Sequence, residues 1–104
     1  MNRNIKFEFI YRDSEDERYG TVVFPNAGRM SLAAVKLIIY ESLIGDLYFY
    51  PDNLALPNIR GEYDPQMDID WYEFDGCRET KEKPTDERDI QEFLVALKRH
   101  KEVL

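Results

Sequence analysis

The chain has little of the chemistry that most readily announces a function. Cys77 is the only cysteine in 104 residues, so no internal disulfide can form and nothing points to an oxidising compartment. His100 is the only histidine, which leaves too few soft ligands for a structural zinc site. No glycine-rich phosphate loop or nucleophile elbow is present. Cys77 has no histidine near it in sequence, and His100 sits among Lys98, Arg99 and Lys101, where a helix-end cation is the simpler reading. Long apolar runs are also missing. The longest nearly apolar stretch, "SLAAVKLIIYESLIG", is broken by Lys36 and Glu41 and falls short of the roughly 20 residues that cross a bilayer. In the opening "MNRNIKFEFIYRD", Lys6, Glu8 and Arg12 interrupt any signal-like core. The expectation is one cytoplasmic globular domain over residues 1–104, not an enzyme, with no cofactor and no catalytic or metal-binding residue.

Positive charge is scarce as well. Fourteen Lys and Arg face twenty-one Asp and Glu, for a net charge of −7. The imbalance is local: residues 62–92 hold twelve acids against four bases, whereas the other 73 residues hold nine acids and ten bases. Direct binding to nucleic acid or to an anionic membrane needs a basic stripe, so both are disfavoured, and a protein partner with a basic surface is the electrostatic alternative.

What is present is aromatic and apolar patterning. In "IKFEFIYR", Ile5, Phe7, Phe9 and Tyr11 alternate with charged residues at the period of a half-buried strand. The polar "DSEDER" reads as a surface loop, and "YGTVVF" returns as the second strand of an antiparallel hairpin. Ser31 is a candidate N-cap for a helix over about 32–44, closed by Gly45. Residues 46–65 carry three prolines and no period, and they read as a long ordered loop whose Leu47, Phe49, Leu54, Leu56 and Ile59 cover the core. Near the end, Thr85 or Asp86 reads as the N-cap of a helix with Ile90, Phe93, Leu94 and Leu97 as its buried stripe. The fold class expected is α+β in the order ββαβα, a small, mainly antiparallel sheet with two helices on one face.

The stretch "EYDPQMDIDWYEFDGC" gathers six carboxylates around aromatic rings. Its apolar parity switches between Trp71 and Tyr72. A β-bulge at that pair would send Met67, Ile69, Trp71, Tyr72 and Phe74 to the core and leave Asp68, Asp70, Glu73 and Asp75 in line on the solvent side. The other reading is a tight turn at Asp75-Gly76 into "CRET". A helix-loop-helix calcium site fails on spacing, because alignment on Gly76 puts Trp71 at the first ligand. A looser hard-cation site at Asp68 and Asp70 competes with a plain solvated face.

The strings "YFYP", "EYDP", "DWYEF" and "PTDERDIQEFL" resemble a family of small acidic bacterial proteins. That resemblance implies a bacterial accessory protein and carries over no activity, cofactor or site residue. The function expected from the residues is a small acidic protein-binding or regulatory module. Its contact would be the acidic row Asp68, Asp70, Glu73 and Asp75 or the aromatic run Tyr48, Phe49 and Tyr50. A nucleic-acid mimic that inhibits a DNA-binding or DNA-cutting protein is the alternative, since alternate residues about 6.6 Å apart on a strand can imitate a charged backbone.

Overall fold

The alternation in the first segment becomes strand β1, Asn4–Asp13, which turns its aromatic residues to one face and Lys6, Glu8 and Arg12 to the other. The computed structural model describes residues 3–13, 16–64, 66 and 68–103. Strand β2, Asp16–Phe24, pairs antiparallel with β1 out to Asp13 opposite Asp16, so most of the segment expected as a loop is strand. Helix α1 covers Leu32–Ser42, with the Ala34 N–H donating to the Ser31 hydroxyl as the sequence suggested. Gly45 and Asp46 then take left-handed φ angles of 60° and 58° and reverse the chain into β3, Tyr48–Phe49. The long connection therefore contains a short strand, and its described residues after Phe49 are irregular as far as Trp71. Strand β4, Tyr72–Thr80, precedes helix α2, Ile90–Glu102.

The architecture is α+β: a four-stranded antiparallel sheet in the order β2-β1-β4-β3 with two helices, and a chain order of ββαββα. Ile5, Phe7, Phe9, Tyr11, Phe24, Phe49 and Tyr72 of the sheet share one buried cluster with Val35 and Ile39 of α1 and Ile90, Phe93, Leu94 and Leu97 of α2. Its centre is aromatic. Phe7 meets Phe93 edge-on at 5.0 Å, Phe24 stacks on Phe93 at 4.5 Å, and Phe9 stacks on Tyr72 at 5.1 Å, arrangements favoured by the ring quadrupole.

Two sequence expectations need correction here. The bulge expected between Trp71 and Tyr72 is not there; β4 is bulged instead at Asp75, where it passes from Gly76 opposite Glu8 to Phe74 opposite Phe9. The extra residue there lets Tyr72, Phe74 and Cys77 all face inward, and it excludes a turn at Asp75-Gly76 because β4 runs straight through. The second helix is capped by Asp89, whose carboxylate accepts from the Gln91 and Ala27 amides. Thr85 and Asp86 instead close the free edge of β2. The Val23 N–H donates to the Thr85 hydroxyl at 2.9 Å, and the Thr85 and Asp86 amides donate to the Val23 carbonyl. Covering an edge in this way removes a site of strand pairing with other chains.

Gly20 shows how tight the packing is. It stands opposite Phe9, and a Cβ added there would lie 2.4 Å from Cε2 of the Phe9 ring. Because that ring is already stacked on Tyr72, it has no room to retreat. Gly20→Ala is expected to lower stability by about 1–3 kcal/mol through overpacking, read as a lower urea midpoint at unchanged slope.

Candidate functional site

The four acids expected in an exposed row are dispersed. Asp68 and Asp70 precede β4, in the irregular connection. The Asp68 carboxylate accepts from the Asp64 amide at 2.8 Å, and Asp70 accepts from the Tyr63 hydroxyl, a bond that pushes the Tyr63 phenol up to about 12. Glu73 lies on the outer face of β4, opposite Ile10, paired with Arg12 at 2.8 Å. Of the four only Asp75 is exposed; the other three are half-buried. Met67, expected on the inner face, lies outside the described residues. Trp71 and Tyr72 do not share a face: Tyr72 is 1% exposed and Trp71 is 37% exposed. The reason is the bulge position, since with the extra residue at Asp75 nothing rotates Trp71 inward.

The aromatic run divides by strand parity. Phe49 is fully buried and contributes to the core, so it is no contact residue, while Tyr48 and Tyr50 on either side are half-buried. Trp71 packs on both, 5.3 Å from Tyr48 and 6.4 Å from Tyr50 between ring centroids. Three side chains fix the surrounding loop. The Tyr72 hydroxyl donates to the Pro57 carbonyl at 3.2 Å and accepts from the Ile59 amide at 3.0 Å. Arg60 reaches the Asp70 carbonyl and the Asp52 carboxylate, and its guanidinium lies 4.0 Å above the Tyr63 ring. His100 is buried, and its Nε2 accepts from the Tyr50 amide at 2.7 Å. That contact corrects its expected role as a helix-end cation. With Nε2 accepting, Nδ1 carries the proton, and it faces the Leu97 carbonyl without reaching a good hydrogen bond.

Beside these rings lies an exposed apolar edge that the sequence reading passed over. Leu37 (61% exposed) and Tyr40 (46%) project from α1, Leu47 (47%) from the turn after it, and Trp71 from the end of the loop. They adjoin one another through the core margin: Tyr40 meets Phe74 edge-on at 5.5 Å, the Phe74 amide donates to the Leu47 carbonyl, and Tyr48 links to Trp71. A signal for this edge was present. In "LAAVKLIIYES" only Lys36, Glu41 and Ser42 are polar, so α1 is apolar around most of its circumference, yet only one side of it can meet the sheet. Next to it, β4 beyond Phe74 has no strand on its outer side among the described residues.

Nucleophilic chemistry finds little support. Cys77 is buried opposite Phe7, and burial pushes its thiol up to about 12, far from the thiolate form that reacts. Among the described residues no three His, Cys, Asp or Glu side chains converge on a point where a metal would sit, and no helix is long and apolar enough to cross a membrane.

Two outcomes follow from the loop anchors. Tyr72→Phe leaves the Ile59 N–H and the Pro57 carbonyl without a partner, and it is expected to cost about 1–3 kcal/mol, with loss of hydrogen-exchange protection at Ile59. His100 is held below its ordinary value of 6.5, chiefly by burial, and a proton on Nε2 would face the Tyr50 N–H. A base with a lowered folded pKa loses stability as the pH falls through about 6.5 toward that folded value, because the unfolded chain takes up the proton first. Urea melts of the wild type are expected to drop relative to His100→Gln over this window, and parallel curves would show that His100 ionises unopposed. Comparison with known proteins returns no matching family model, no matching curated protein and no matching solved structure.

Proposed function

We propose that this chain is a small protein-binding or regulatory module that docks through the apolar edge of Leu37, Tyr40, Leu47, Tyr48 and Trp71. The observation that carries the reading is the clustering of four of its exposed large hydrophobic side chains along one margin, where α1 turns an apolar side to solvent. Contiguous exposed apolar surface of this kind marks an interaction site more often than a solvated face does. Aromatic anchors such as Trp71 and Tyr48 supply most of the binding energy at an interface, and charges at the rim supply little. The acidic row is the weaker candidate for the contact. Asp70 and Glu73 are committed to Tyr63 and Arg12, Asp68 caps a turn, and no line of free carboxylates remains to imitate a phosphate backbone.

The test uses a protein partner isolated on the immobilised wild-type chain and then titrated against defined variants. Leu47→Asp combined with Trp71→Ser is expected to weaken binding by about 2 kcal/mol or more, the loss typical of hot-spot residues, with little change in the thermal melt. Raising salt from roughly 50 to 500 mM should change the affinity only slightly, because desolvated rings are not screened. Binding that collapses with salt and survives the double substitution, yet is lost on replacing Asp68, Asp70, Glu73 and Asp75 by Asn or Gln, would return the contact to the acids.

A further inference from the structure

We infer that the cavity between the last turns of α2 and the 50–54 turn binds a small organic carboxylate with an apolar body. The cavity measures about 530 Å³, within the range of small-molecule sites, and is lined by Tyr50, Leu54, Ala96, Arg99, His100 and Val103 together with Asp52 and Asn53. Its surface is mostly hydrocarbon and ring, so the body of the ligand must be apolar.

The charge on the rim fixes the sign of its head. Asp52 is engaged by Arg60 at 3.1 Å, and His100 is neutral, with Nε2 held by the Tyr50 amide. Lys101, on the same helix, turns its Nζ to the Glu41 carbonyl. Arg99 is exposed and forms no ion pair among the described residues, which leaves its guanidinium as the uncompensated charge at the opening. A planar fork of donors is matched by a carboxylate.

His100 is nine-tenths buried in its wall, but it offers the cavity no free polar atom, because Nε2 accepts from the Tyr50 amide and Nδ1 turns to the Leu97 carbonyl. One further feature sets this pocket apart from an accidental hollow. The turn that forms the opposite wall holds Asn53 and Ala55 at left-handed φ angles of 69° and 54°. For alanine that conformation is strained, and strain of this kind is kept where the surroundings hold it and often lies at binding sites.

The probe is octanoate, with octanamide as its neutral counterpart, added to the full chain below the concentration at which octanoate forms micelles. Binding is read by amide NMR shifts and by the emission of Trp71, the only tryptophan, whose ring lies 6.4 Å from Tyr50. Octanoate is expected to shift the amides of 50–54 and 96–103 saturably. Octanamide, and octanoate on Arg99→Gln, should each bind at least about fivefold more weakly, the scale of one charge-assisted contact. Ala96→Trp, which fills the cavity, should abolish the shifts, and if that variant fails to fold, the Arg99→Gln and octanamide arms decide. The Leu47→Asp, Trp71→Ser double variant should still bind octanoate by NMR, which separates this site from the docking edge. Non-saturating shifts, equal affinity for octanamide, or full affinity in Arg99→Gln would overturn the proposal, as would shifts centred on Leu37 and Tyr40.

Discussion

Tyr72 joins the two halves of this molecule. Its ring is stacked on Phe9 and meets Tyr11 and Phe49 edge-on, so it belongs to the sheet, while its hydroxyl holds Pro57 and Ile59 and so belongs to the connection. A connection with so little regular structure has many backbone groups to satisfy, and each one buried without a partner destabilises the fold. One buried phenol satisfies two of them at the point where the loop passes over the sheet. Tyr11 adds a third link through its hydroxyl to the Ile69 carbonyl, and His100 a fourth through the Tyr50 amide. Leu47, Tyr48 and Trp71 of the apolar edge and one wall of the cavity beside α2 stand on the segment that these bonds hold in place.

Part of the acidic bias of residues 62–92 is absorbed by internal partners. Glu82 bonds Thr80 and Lys6, Asp86 is bracketed by Arg88, Glu73 pairs with Arg12, and Asp89 caps α2. The Arg88 guanidinium beside Asp86 holds that carboxyl below its usual range, and the Thr80 hydroxyl and Lys6 do the same for Glu82. On the outer sheet face Lys6, Glu8, Arg12 and Arg78 find opposite charges on neighbouring strands or on the connection. Exposed pairs of this kind add little stability one by one. They do leave most of the outer face polar.

The two helices show why sequence periodicity carried different weight along the chain. Helix α2 repeats a narrow apolar stripe opposite a charged side, so its buried apolar residues Ile90, Phe93, Leu94 and Leu97 could be named in advance, whereas the burial of His100 could not. Helix α1 is apolar on nearly every side. Its burial was set by where the sheet lies, and Leu37 and Tyr40 fell on the outside.

By itself the sequence determined the hairpin, both helices, the buried stripe of α2 and the α+β class, because alternation and helical spacing are local signals that report which side of an element is apolar. The parity switch between Trp71 and Tyr72 suggested a bulge at that pair, and there the sequence misled. Only the tertiary structure put a bulge at Asp75, because its position depends on which residue of β1 each residue of β4 faces. The same distant contacts left Leu47 and Trp71 outside, turned His100 inward against Tyr50 and moved the second helix cap to Asp89. Each of these was decided by a partner more than ten residues away, and a one-dimensional pattern carries no record of such partners.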